Sequence, residues 1–256
     1  MQYVLGVMDN SIGFSRGHNY MSEDSRAPEI RLLQDVLARR LQGGANPRIL
    51  EAGCGSASHV RLPEGARLTG IDISQKQLDR NTVLDERLLG DLETFPLPSN
   101  KFDCTICWYV LEHLPHPELA LRNLVQATKP GGLIILTVPN RNSFKGIMTR
   151  WTPHGFHVWT YRHIFQQKDA GTEDRGPFKT FLHPAVSKKG LKRFAAAHNL
   201  EECVFTLYTN SMIETGHRLA PVLFSIYSLL VWTLKFLSFQ RYDGNLTDLL
   251  LVWRKP

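Results

Sequence analysis

With 256 residues, a net charge of +6 and a pI near 9.2, the chain has room for one α/β domain with insertions, or a domain with a small cap. A basic surface favours anionic partners such as membrane phosphates, but no Lys/Arg block is interleaved with aromatics, so nucleic acid is not an expected partner. Of the four cysteines, Cys54, Cys104, Cys107 and Cys203, only Cys104 and Cys107 have C-x-x-C spacing; in an apolar strand they point to opposite faces, which argues against a redox or zinc pair.

Residues 1–25 are polar and glycine-bearing and read as an arm. Met1-Gln2-Tyr3-Val4-Leu5 lacks a charged start and a long apolar stretch, so no secretory leader is expected. Together with the unpaired thiols, this predicts a reducing, cytoplasmic setting. Ile30, Leu33, Val36 and Leu41 recur at helical spacing, predicting a helix over 28–41 that Gly43-Gly44 ends. Strands are predicted at 48–51, 67–73, 87–89, 102–108 and 133–138, the last an apolar run of the kind buried on both faces. Ser74 caps a helix to about 83, and His116-Pro117 opens another to 128, stopped by Lys129-Pro130-Gly131-Gly132. A polar and aromatic insertion fills 141–183. A helix at 187–198 and a strand at 202–208 follow, then a second insertion at 210–245 and a last strand at 247–253.

The turn Glu51-Ala52-Gly53-Cys54-Gly55 follows the first strand. Its glycines permit positive φ and let a ligand lie against bare backbone. Gly70-Ile71-Asp72-Ile73 ends the second strand with a carboxylate that can accept from two vicinal ribose hydroxyls. Gly90-Asp91-Leu92 adds a third acidic turn. Three such loops along the carboxyl edge of a parallel sheet make a nucleoside-binding crevice.

The ensemble E-x-G-C-G, G-I-D-I-S and G-D-L-E-T-F-P-L-P, over about residues 45–140, resembles the class I S-adenosylmethionine-dependent methyltransferases. It is most similar to their small-molecule branch, which includes ubiquinone and menaquinone methyltransferases. One departure is visible: Ser56 or Ala57 stands where the family often has a third glycine, and Pro63 shortens the helix that follows. The resemblance implies a Rossmann-like sheet with helices on both faces, an antiparallel last strand and two insertions forming a lid. It divides the chain into an arm and helix at 1–44, a cofactor-binding core at 45–140, a lid at 141–183, and the rest of the core at 184–256 with its apolar helical insertion. It further implies that Glu51 meets the methionyl ammonium, or else caps backbone amides. Gly53, Cys54 and Gly55 line the cofactor, Asp72 and Ile73 its ribose side, and Asp91 and Leu92 its adenine. Cys107, Trp108 and His113 stand near the methionyl chain.

In the first insertion, Trp151, His154, Phe156, His157, Trp159, Tyr161 and His163 would lie over the transfer site. His154 and His157 are the expected bases, since imidazole titrates near neutral pH. No carboxylate or thiol joins them and His183 in a metal site. The aromatic lining predicts an apolar small-molecule acceptor, lipid- or quinone-like, with a lean towards oxygen methylation.

Residues 219–239 are nearly all apolar and about as long as the ~20 residues a span needs. Pro221, Lys235 and the strand that must return to the sheet argue against crossing. A buried lid helix, an interfacial helix resting peripherally on a membrane, and an oligomer contact stay open. Two other readings share the glycine turn: a nicotinamide-dependent oxidoreductase, and a non-catalytic membrane-associated binding protein of the same fold.

Overall fold

The apolar runs become the strands of one seven-stranded sheet, in a computed structural model that describes residues 28–40, 46–58, 62, 65–172 and 174–256. The expected arm, Gly43-Gly44 and part of 56–64 fall outside those residues. The strands are β1 (Arg48–Ala52), β2 (Arg67–Asp72), β3 (Glu86–Leu89), β4 (Phe102–Trp108), β5 (Thr128–Pro139), β6 (Glu201–Tyr208) and β7 (Asp248–Arg254). They lie in the order β3-β2-β1-β4-β5-β7-β6. The first five pair in parallel, and β7 runs antiparallel between β5 and β6.

Alternation along the central strands builds two cores. Leu50, Cys107, Leu136, Leu251 and Trp253 face one side, where Leu121 and Leu124 of α3 (Pro117–Ala127) and Phe194 of α6 (Lys188–Ala197) cover them. Ile49, Cys104, Ile135 and Val252 face the other, under Leu33 and Leu37 of α1 (Pro28–Arg40) and Leu78 of α2 (Gln75–Arg80). Cys104 and Cys107 thus fall on opposite faces, as alternation requires.

Two expectations are corrected. Lys129-Pro130-Gly131-Gly132 does not separate helix from strand but is an irregular start of β5. Gly131 takes φ +76°, the β4–β5 register shifts between Phe102 and Cys104, and the Gly131 amide donates to the Lys255 carbonyl at 2.8 Å. Helix α2 stops at Arg80 rather than near 83. Buried Asn81 leaves the helix and turns its side-chain amide to the carbonyls of Cys54 and Gly55, at 3.4 and 3.2 Å.

The first insertion folds into α4 (Phe144–Trp151), α5 (His154–His163) and a long loop, and the second into the helical pair α7 (Ser211–Leu219) and α8 (Pro221–Leu237). Ring contacts join them: Phe144 meets Tyr227 with centroids 5.2 Å apart, and Phe165 meets Phe224 at 6.3 Å. A buried lid helix is not what 219–239 forms. Within α8 only Val231 is fully buried, and Leu229 and Trp232 are each 61% exposed. No helix among the described residues is long and apolar enough to cross a membrane.

Candidate active site

Gly53 and Gly55 adopt φ +67° and +58°, which bends the chain sharply at the end of β1. The amides of Gly53 and Cys54 both donate to the Ile71 carbonyl, at 2.7 and 3.1 Å, tying the turn to β2. A Cβ on Gly53 would strike Val110 at 2.3 Å, whereas one on Gly55 would meet nothing closer than 4.0 Å. Gly53 is therefore needed for packing, while Gly55 faces open space. Cys54 buries its side chain beside Gly70, and burial pushes its thiol well above the ordinary range. Only its main chain borders the crevice. Glu51 is buried at the end of β1.

The Asp72 carboxylate spans two loops: one oxygen accepts from the Gly55 amide and the other from the Ser74 amide, each at 2.9 Å. Both oxygens keep a second lone pair for a further donor. Ile73, next in the chain, is 73% exposed, an apolar surface at the lip of the crevice. Asp91 organises the third turn by accepting from the Glu93 amide at 2.9 Å, while its carbonyl accepts from Thr94 and Phe95. Leu92 sends its side chain into the core, and its carbonyl accepts from the Asn123 amide at 2.8 Å. That leaves its main chain at the crevice.

At the end of β4, Cys107 and Trp108 are buried on opposite faces, so their side chains lie in the two cores and main-chain atoms border the opening. Tyr109 follows with φ +55°, a strained position for a side-chain-bearing residue. Its hydroxyl accepts from the Asn210 amide at 2.7 Å and pairs with Tyr208 at 2.8 Å, linking β4 to the second insertion. His113 closes the 3-10 turn Leu111–His113 and donates from Nδ1 to the Lys179 carbonyl at 2.9 Å. Burial holds its imidazole below the usual value, favouring the neutral ring.

Of the expected bases, His154 is exposed at the start of α5. His157 bonds through Nε2 to the Thr152 hydroxyl at 3.1 Å. That hydroxyl donates its proton to the Met148 carbonyl, so the imidazole is the donor and braces the α4–α5 corner. The loop after α5 straps across the sheet edge. Asp174 accepts from the Ser74 hydroxyl at 2.8 Å, and its carbonyl accepts from Gln77. Further along, the Phe181 and Leu182 amides both donate to the Glu112 carbonyl, at 2.8 and 3.1 Å. Among the described residues no group of His, Cys, Asp and Glu has the arrangement of a metal site.

Next to the expected His113, Glu112 is the more unusual group. It is 3% exposed, and its Oε2 has no hydrogen-bond partner among the described residues. Burial chiefly, with the Asp248 charge adding, pushes its carboxyl up to about 8. Asp248, fully buried at the start of β7, accepts from the Thr247 hydroxyl and stands 3.7 Å from the Lys145 ammonium. Tyr161 of α5 is pushed up to about 12 by burial, with the charges of Asp248 and Glu112 adding. A buried carboxyl in an acidic motif is invisible until its neighbours are known. The only sequence signal was an acidic residue just beyond a core strand.

The profile of a methyltransferase domain family matches residues 24–201, more than half of the chain. The chain belongs to the S-adenosylmethionine-dependent methyltransferases. A ubiquinone biosynthesis O-methyltransferase of Dechloromonas aromatica is 29% identical over 167 residues, which are 61% of this chain and 66% of that protein. One of the same name from Coxiella burnetii is 28% identical over 146 residues, 54% of this chain and 58% of its own. The chain therefore spans two thirds or less of these relatives. The geranyl diphosphate C-methyltransferase of Streptomyces coelicolor superposes with a TM-score of 0.55 at 16% identity, over 88% of this chain and 77% of that one. At that identity the likeness carries the fold alone. Family membership displaces the nicotinamide reading.

This methyltransferase's crevice fits the family's cofactor. Gly55 leaves room against bare backbone, Asp72 has acceptor capacity facing the same turn, and exposed Ile73 offers an apolar face beside it. Asn81, missed in the sequence, holds the glycine turn in place from behind.

Proposed function

We propose that this protein transfers the methyl group of S-adenosylmethionine to an oxygen of an apolar small molecule, with Glu112 receiving the acceptor's proton. The observation that carries the reading is the buried Glu112 carboxyl just beyond β4, with one oxygen unpartnered among the described residues. When bound, S-adenosylmethionine supplies an electrophilic methyl on a sulfonium. The chain must then align the acceptor and remove one proton, and alignment can supply on the order of 7–11 kcal/mol.

Gly53, Gly55, Asp72 and the Asp91 turn hold the cofactor, with Glu51 at the methionyl end. Ionised Glu112 takes the hydroxyl proton as the acceptor oxygen bonds to the methyl carbon. A methyl ether, S-adenosylhomocysteine and a protonated carboxyl result, and the carboxyl returns its proton to water. His154 and His157 are the less favoured bases, because His157 already donates to Thr152 and His154 stands in solvent. The strap held by Asp174 and Glu112 covers the crevice, and its Phe178 and Phe181 supply apolar contacts. The relatives' names, ubiquinone biosynthesis O-methyltransferase, support an oxygen acceptor on an apolar molecule.

The test is incubation with labelled S-adenosylmethionine and a lipid extract, followed by mass spectrometry of labelled products. A labelled apolar methyl ether, lost in Glu112→Gln while S-adenosylhomocysteine still binds, is the expected result. Label on nitrogen or carbon, or undiminished turnover in the variant, rejects the oxygen reading or the role of Glu112 respectively.

A further inference from the structure

Helix α8 is apolar around nearly its whole circumference yet buries only a narrow strip. Val231 is buried, and Phe224, Tyr227, Ser228 and Lys235 are half-buried along that side. Leu223, Ile226, Leu229, Leu230, Trp232 and Phe236 stand in solvent, and Trp232 stacks on Phe236 with centroids 5.8 Å apart. So large an exposed apolar face is uncommon on a free protein surface.

The charges along this face are mostly positive, with Glu214 and Asp243 at its two ends. From residue 215 to 242 the chain holds no Asp or Glu, but carries Arg218, Lys235 and Arg241. Lys235 is paired with Asp243 at 2.7 Å, whereas Arg218 at the end of α7 and Arg241 beyond α8 are exposed. The neighbouring α4–α5 stretch repeats the pattern: 140–168 has no acidic residue but has Arg150 and Lys168, with Trp151 79% exposed. In a two-fold contact the same patch meets itself, so a mostly basic rim would find little counter-charge. Anionic headgroups supply that counter-charge, and a Trp-bearing apolar helix face with flanking cations suits the boundary between headgroups and acyl chains.

We propose that α8 is an interfacial anchor that lays its exposed face onto an anionic lipid bilayer. The inference does not rest on the reaction proposed above, and lipid binding can be read without turnover.

The test uses the full chain with vesicles of phosphatidylcholine, with and without phosphatidylglycerol. Binding to the anionic vesicles, weakened by salt, is expected. Joint Leu229→Ser, Leu230→Ser and Trp232→Ser substitution should abolish it. Joint Arg218→Glu and Arg241→Glu substitution should lower partitioning at least roughly 30-fold, about fivefold for each cation removed from an anionic surface. Each variant must bind S-adenosylhomocysteine with parental affinity, which shows the fold intact. In a chain with Trp151→Phe and Trp159→Phe, Trp232 is the remaining exposed tryptophan, and brominated acyl chains should quench it. That readout leaves α8 unaltered and decides the matter even where the serine variant does not fold. No vesicle binding by the parental chain, or unquenched Trp232, overturns the proposal. So does a dimer seen by light scattering that the serine variant dissociates while vesicles go unbound, since the occupant is then a second copy.

Discussion

Asp72 has two structural contacts and one expected ligand contact on a single carboxylate. Alanine there strands the Gly55 and Ser74 amides and removes the expected ribose contact. Asp72→Ala should weaken S-adenosylhomocysteine binding by about 1.5–3 kcal/mol by titration calorimetry; parental affinity would reject the placement. Glu112 behaves differently because burial, not partnership, sets its chemistry. With its carboxyl at about 8 in the folded chain against an ordinary 4.5, the unfolded chain gives up this proton first as pH rises. Its contribution to stability is thus full below about pH 4.5 and declines up to about 8. Glu112→Gln stays neutral throughout, so urea melts should show the variant gaining on the parent between those limits. Turnover of the parent should rise with pH through about 8, and the variant should lose ~10²-fold or more. Asp72 was legible because a strand, a carboxylate and a glycine turn announce themselves in order. Glu112 and Asp248 were not, since only the folded chain shows that these carboxylates are buried.

Among the elements, the strap from Asp174 to Leu182 joins the end of α2's cap to the turn after β4. Asp174→Ala removes its bond from Ser74, and stopped-flow measurements should show faster release of S-adenosylhomocysteine, by ~3- to 10-fold for a bond of typical net strength. An unchanged release rate would mean that the strap does not gate the crevice. His157→Ala should cost the α4–α5 corner about 0.5–1.5 kcal/mol, with far less loss of turnover than Glu112→Gln. Parallel strands were easy to see because burial on both faces writes continuous apolar runs. The first insertion was legible as an exception to that rhythm but not as helices, and the second as an apolar helical insertion whose packing face was not evident. Pro153 splits the first insertion into the short helices α4 and α5, and Pro221 splits the short α7 from the longer α8. In α8 the apolar pattern has no polar side, and periodicity alone could not say which face the fold would cover.

At the scale of the molecule, cofactor and core should report on each other. S-adenosylhomocysteine at a hundred times its dissociation constant should stabilise the protein by about 2.7 kcal/mol, while NAD leaves it unmoved. Trp253 is fully enclosed between β7 and Phe194 of α6, so Trp253→Ala should cost about 3–5 kcal/mol in denaturant melts. The antiparallel direction of the last strand came through the family resemblance, because strand composition alone does not say where β7 sits in the sheet. Its actual place, inside the sheet between β5 and β6, has a consequence for the order of assembly. On the ribosome, β6 emerges with no neighbour to receive it, and the α7–α8 pair emerges next, still held at one end only. Until β7 is threaded in, the growing polypeptide displays a sticky helical hairpin and an open strand edge together, the stage most exposed to aggregation and most open to capture by chaperones.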